Sequence, residues 1–151
     1  MKGFDADKFR RLDGGRAALR LPAMRTSIHL LPCQNAHLPF WTIRPAMPAR
    51  RRRLRYAGVS QEPYDQLRDE ILEVAQEPRT ARGLGADTGE TGEQLRAMIQ
   101  TMTLEGVLLR VGAEGLRSNA LGYVATEAWL GHPGRLPDVG PDEALSWLAG
   151  E

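Results

Sequence analysis

Apolar residues recur at helical spacing over much of the second half of the chain. Tyr64, Leu67, Ile71 and Val74 follow Ser60 at steps of three and four. One side of a helix from about Gln61 to Gln76 is therefore apolar, with Ser60 as its N-cap. Pro78 stops that helix, and Arg79 to Ala86 predicts a second, shorter one. The run Asp87 to Gly92 is rich in residues that tolerate unusual backbone angles, and so reads as a turn. Thr91 is placed to cap a third helix, Gly92 to Glu105. Leu95, Met98, Ile99 and Met102 form its inward stripe, while Arg96, Ala97, Gln100 and Thr101 are expected on the opposite side. Gly106 ends this helix as a left-handed cap residue. Val107 to Val111 is then a short β-forming run, Gly112 to Gly115 a turn, and Leu121 to Ala125 a returning strand.

Helix, short helix, turn, helix and hairpin is the order of a winged helix. The expected fold class is accordingly α+β: a winged helix-turn-helix, mostly helical with short β-hairpins. The first sixty residues are less regular. Phe4 to Leu12 suits a short helix, Ala17 to Leu21 and Met24 to Leu31 suit two extended segments separated by Pro22, and Asn35 to Arg44 suits a further helix. This portion reads as the last helix and hairpin of a preceding unit, so the chain is expected to hold tandem winged-helix units with the first incomplete. The boundaries are 1–58 for that remnant with its basic helix, 59–130 for the complete unit, and 131–151 for a linker and the start of a further helix. That last helix opens on Pro141, Asp142 and Glu143 and carries Trp147. Its amphipathic character predicts docking onto a neighbouring domain of a longer protein.

Composition narrows the options. With 151 residues and 42% hydrophobic content the chain can bury a substantial core. The net charge of +1 means that any affinity for a polyanion must come from local patches. A single cysteine, Cys33, rules out an intrachain disulfide and fits a reducing compartment. No apolar run approaches the ~18 residues of a membrane span, and Met1 to Asp5 lacks the hydrophobic stretch of a signal peptide. A cytoplasmic protein with no membrane contact is expected.

Several side chains are candidates for a site. Arg96, Gln100 and Thr101 lie on the outward side of the third helix, and Arg110, Arg117 and Asn119 on or beside the hairpin, where a wing can touch phosphates. Arg50, Arg51, Arg52 and Arg53, with Arg55 and Tyr56 close behind, are the densest positive charge in the chain. They suit a phosphate clamp whose grip weakens with salt; the alternative is a solvated helix face offset by Glu62, Asp65, Asp69 and Glu70. His29, Cys33 and His37 recur every four residues. Pro32 and Pro39 argue against one continuous helix there, so no metal site is expected. No cofactor is indicated either, since Gly83-Leu84-Gly85 lacks the lysine and preceding strand of a phosphate loop.

The run from Leu21 to Pro32 resembles the R-x-M-R-x-T-x-H-L-x-P stretch of bacterial winged-helix proteins related to the AlkZ and YcaQ DNA glycosylases. The run Leu104 to Arg110, followed by Arg117 to Asn119, Tyr123 and Trp129-Leu130, also looks like their second winged helix. The resemblance covers roughly Arg16 to Glu151, with the string Met24 to Pro32 its most distinctive part. It implies tandem winged helices around a concave face for duplex DNA, with Arg25 and His29 as cleft-facing candidates. It also implies a Gln-x-Gln or Gln-x-Asp pair, upstream of Met24, that positions the attacking water for N-glycosidic bond hydrolysis. Here the glutamines are Gln34, Gln61, Gln66, Gln76, Gln94 and Gln100, and none has Gln or Asp two positions later. Without such a pair the chain alone is expected to be a non-catalytic DNA-binding part of a DNA-repair, glycosylase-like protein. The alternatives are a DNA glycosylase acting on alkylated or crosslinked bases, and a winged-helix module that binds only proteins.

Overall fold

The computed structural model describes residues 5, 7, 11, 16–23, 27–42, 52, 54–112, 121–131 and 139–149. In chain order these form β1 (Ala18–Ala23), β2 (Ser27–Pro32), α1 (His37–Trp41), α2 (Gln61–Val74), β3 (Arg79–Thr80) and α3 (Ala81–Thr88). There follow α4 (Gly92–Leu104), β4 (Leu108–Gly112), β5 (Leu121–Ala125), α5 (Thr126–Leu130) and α6 (Pro141–Ala149). Helical residues also occur at Arg52 and at Leu54 to Tyr56. Of the expected first helix, Phe4 to Leu12, only Asp5, Asp7 and Arg11 belong to the described residues. The turn at 113–115 and most of the connector 132–140 lie outside them.

All pairings in the sheet are antiparallel, and its strand order is β2-β1-β4-β5-β3. The β1–β2 hairpin pairs along its whole length, from Ala18 opposite Pro32 to Ala23 opposite Ser27. Pro22 sits inside β1 rather than after it, opposite Ile28. β4 and β5 pair from Leu108 opposite Ala125 to Gly112 opposite Leu121, which is the expected hairpin displaced by one residue at β4. Arg20 opposite Arg110 joins the two hairpins. The sheet therefore crosses the expected boundary between residues 58 and 59.

The second predicted helix begins two residues late. Arg79 and Thr80 are drawn into β3 by pairing with Tyr123 and Gly122. At Gly122 a Cβ would lie 3.0 Å from Val111 Cγ2 and 3.4 Å from Pro78 Cβ, so a larger residue would push this edge apart. Thr80 then caps α3, its hydroxyl accepting from Gly83 N–H at 3.0 Å. Ser60 and Thr91 stand at the N-cap positions of α2 and α4, yet neither makes a side-chain cap bond. The far end of α4 closes as expected: Gly106 has φ +74°, its N–H reaches Thr103 O at 3.4 Å, and Val107 N–H reaches Met102 O at 3.2 Å. This paired closure satisfies the last carbonyls and aims the chain into β4.

Two apolar clusters hold the elements. Ile71, Leu84, Leu95, Met98, Met102 and Leu108 join α2, α3 and α4 to the base of the sheet. Leu19, Leu21, Phe40, Leu104, Leu109 and Val124 form the second, between the sheet, α1 and the end of α4. Thr126, 1% exposed, ties the two regions together, its hydroxyl donating to Gly106 O at 2.6 Å. The Arg16 guanidinium lies over the Trp129 ring at 5.5 Å, fastening the start of β1 to α5. The C-terminal helix α6 packs on α1, with Ala144 buried and Leu145 exposed.

Candidate nucleic-acid interface

The third long helix, α4, is the natural first place to seek a nucleic-acid surface. Its inward stripe is as expected, with Leu95, Met98, Ile99 and Met102 all buried. Its opposite side is not open as expected. Ala97 is 3% exposed and Thr101 2%, while Thr103 and Leu104 are buried as well. Thr101 is therefore not on a groove-facing surface: its hydroxyl donates to Ala97 O at 2.8 Å, one turn back. Ala97 belongs to the apolar cluster that includes Leu54, Val59, Tyr64 and Ile71. β1 pairs onto β4, and α4 contacts both strands as well as α2 and α3. What remains open is the first part of α4, with Glu93, Gln94 and Arg96 exposed and Gln100 half-buried. Arg96 is 80% exposed in its side chain and 4.0 Å from Glu93 Oε2, a surface pair of small energetic weight.

The hairpin β4–β5 carries Arg110, which is half-buried in the middle of the sheet rather than on a free edge. Arg117 and Asn119 lie outside the described residues, as do Arg25, Arg50, Arg51 and Arg53. Arg52 and Arg55 are exposed, and Tyr56 beside them is 84% exposed. His29 lies on β2 opposite Leu21, half-buried, with its buried Nε2 lacking a hydrogen-bond partner among the described residues. Strand alternation puts it on the sheet face away from Arg20 and Arg110. His29, Cys33 and His37 fall on a strand, a turn and a helix start, and no cluster of three potential metal ligands occurs among the described residues. Burial pushes the Cys33 thiol pKa above its ordinary value.

The register assembles a group of residues that sequence spacing does not reveal. Leu30 faces Arg20, Arg20 faces Arg110, Arg110 faces Tyr123, and Tyr123 faces Arg79. Directly opposed residues share a sheet face, so three arginines and a tyrosine form one row across β1, β4, β5 and β3. Arg79 Nε is 3.9 Å from Asp87 Oδ2, a loose pair at the edge of the row. Arg110 Nε is buried with no hydrogen-bond partner among the described residues. Of the three arginines, only Arg110 is a candidate on sequence grounds. Nothing in the segments around Arg20 and Arg79 links them to Arg110, and only pairing between distant strands brings them alongside it.

Two surface clefts accompany these groups. One of about 270 Å³ is lined by Leu54, Arg55, Val59, Ser60, Gln61 and Tyr64, at the start of α2 beside the arginine-rich segment. The other, about 240 Å³, lies between α2 and the start of α4 and includes Gln66, Glu70, Glu90 and Gln94. Gln66 Nε2 donates to Glu70 Oε1 at 3.2 Å on the exposed face of α2. Among the described residues no helix is long and apolar enough to cross a membrane.

A mixed α+β fold with an antiparallel five-stranded sheet is the class to which these elements belong. The solved structure of Streptomyces sahachiroi DNA glycosylase AlkZ superposes with a TM-score of 0.61 at 21% sequence identity, over 96% of this chain and 41% of that one. At that identity the likeness is one of fold, and the chain spans about two fifths of the AlkZ structure. A sequence model described as DNA glycosylase AlkZ-like matches residues 1–151, so the chain belongs to the AlkZ-like DNA glycosylase family. A comparison with curated proteins gave no match.

Proposed function

We propose that this chain is a duplex-DNA-binding, winged-helix part of a DNA-repair glycosylase, and that it does not itself cleave the glycosidic bond. The observation that carries the reading is the succession α2, β3, α3, α4, β4, β5, in which the short β3 closes the hairpin's outer edge. That is the element order of a winged helix, and membership of the AlkZ-like family supports DNA as the partner. In this reading Arg96 and Gln100 present the open part of α4, and Arg110, Arg117 and Asn119 serve the wing. Arg50 to Arg53 act as the backbone clamp, beside the exposed Arg55 and Tyr56.

The burial of α4 favours contact with the DNA backbone over extensive reading of bases. A helix with Ala97, Thr101 and Thr103 covered offers few side chains to a groove. Affinity should then be insensitive to sequence and steeply dependent on salt. Fluorescence anisotropy of a labelled duplex, titrated from low to physiological salt, tests this. Affinity falling as a power of salt concentration is the expected result. No affinity at low salt would remove the DNA reading and leave a protein-binding module.

The non-catalytic part of the proposal rests on chemistry. No glutamine in this chain has Gln or Asp two positions later, so the pair expected to orient the attacking water is not supplied here. Family membership supports glycosylase activity in the whole protein. Incubating this chain with DNA carrying an alkylated purine, then assaying abasic sites by alkaline cleavage, separates the two. Strand breaks above background would overturn the non-catalytic assignment.

A further inference from the structure

We infer that Tyr56, with Arg52 and Arg55 beside it, forms a stacking platform for an unpaired nucleobase in the bound DNA. The occupant is thus DNA carrying a base without a partner, so this site deepens the DNA-binding reading and rests on it.

The helical segment that carries these residues is locked at its end. Gly58, with φ +78°, donates its N–H to Arg55 O at 3.0 Å, and Val59 N–H reaches Leu54 O at 2.9 Å. This paired glycine closure satisfies the last carbonyls of a helix and brings together an apolar residue from each side of the turn. Leu54 and Val59 are those residues, both buried in the cluster that holds α2 and α4. With Leu54 held inward, Tyr56 lies two positions on, roughly 200° around the helix, and so faces out. At 84% it is the most exposed large hydrophobic side chain among the described residues.

A clamp for backbone phosphates gains little from that ring. Phosphate oxygens are held by guanidiniums and N–H groups, and a tyrosine adds to them a single hydroxyl. Its flat apolar face matches the face of a base instead, and such stacking tolerates any sequence because every base has one. Inside a paired duplex the bases already cover one another. The ring can therefore meet a base that has left the stack. The surrounding charge suits a nucleotide. Arg52 and Tyr56 are both helical and four positions apart, the spacing that sets side chains side by side. Arg55 precedes the ring and lines the cleft of about 270 Å³ at the start of α2. Both arginines are exposed, and neither is in an ion pair with a described residue. On α2, Asp65 is engaged by Gln61 Nε2 at 2.9 Å. The two guanidiniums are thus available to the phosphates flanking a base stacked on Tyr56.

Fluorescence anisotropy with a short duplex, and with the same duplex bulged by one unpaired adenine, tests this. The wild type should bind the bulged duplex about tenfold more tightly, within the range that one base–aromatic stack supplies. Tyr56→Ala should bring that ratio close to unity and keep its Tm, because the ring takes no part in the core. Tyr56→Phe, which retains the ring, should keep the ratio. Arg55→Ala should weaken both complexes alike and make the slope of log affinity against log salt shallower by about 0.9, the value for one phosphate. With 2-aminopurine as the unpaired base, the wild type should quench its fluorescence and Tyr56→Ala should not.

These outcomes separate the platform from the reading beneath it. Equal affinity of the wild type for the two duplexes overturns the platform while DNA binding stands. A preference that survives Tyr56→Ala, or is lost in Tyr56→Phe, also overturns it, since the ring face would not be the contact. A lower Tm for Tyr56→Ala, with both complexes weakened equally, assigns the ring a structural role and has the same effect. No affinity for either duplex removes both.

Discussion

Thr126 shows how a single polar residue can be indispensable without approaching a functional surface. It is 1% exposed, its hydroxyl donates to Gly106 O at 2.6 Å, and its N–H donates to Val107 O at 3.0 Å. Those bonds reach the helix-to-strand junction that sets the direction of β4. Thr126→Val keeps the shape but leaves the buried Gly106 carbonyl short of a donor, which should cost about 1–3 kcal/mol. Urea unfolding followed by circular dichroism would measure it, and a change within about 0.3 kcal/mol, well below that range, would mean the carbonyl finds another partner. Thr101 and Ala97 illustrate the limit of reading residues one at a time. Both are small and weakly polar, and a helical threonine can satisfy its hydroxyl on the carbonyl one turn back, as Thr101 does. Nothing in their chemistry distinguishes a solvated face from a close-packed one, so helical spacing puts them outward and the fold buries them.

At the scale of elements, α2, α4 and β5 are legible in the sequence because each is long or regular enough to show its own periodicity. The closing glycine of α4 is legible for a different reason: a positive φ is readily adopted by glycine and resisted by other residues. Gly106→Ala should therefore strain the junction by about 1–2 kcal/mol and loosen the start of β4. Faster amide exchange at Val107 to Leu109 than at Met98 is the expected signature, and unchanged protection throughout would refute the cap assignment. β3 is not legible. Two residues cannot display alternation, and Arg79-Thr80 becomes a strand only because Tyr123 and Gly122 present an unpaired edge to it. The same event moves the start of α3 from the expected Arg79 to Ala81.

For the whole molecule, the expected division at residue 58 runs through shared packing. Leu104, Leu109, Val111 and Val124 from the second part form one cluster with Leu19, Leu21, Ala36 and Phe40 from the first. A fragment of residues 59–130 would expose that apolar face and an open β4 edge, a combination that promotes association. We expect it to unfold without a cooperative transition or to aggregate, as judged by thermal melting and size-exclusion chromatography. A soluble monomer melting like the parent chain would support the boundary instead. Charge behaves in the same way: the net charge is only +1, yet the register concentrates arginines at one row of the sheet.

The order of helices and hairpin, the inward stripe of α4, its glycine stop and the arginine-rich segment all follow from side chains acting on near neighbours, and local periodicity displays such forces in the linear chain. The junction of the two hairpins, the covering of Ala97 and Thr101, the two-residue edge strand and the meeting of Arg20 with Arg110 arise only on folding. They depend on which distant strands pair and in what register, a choice made by the collective burial of apolar faces that no single segment encodes.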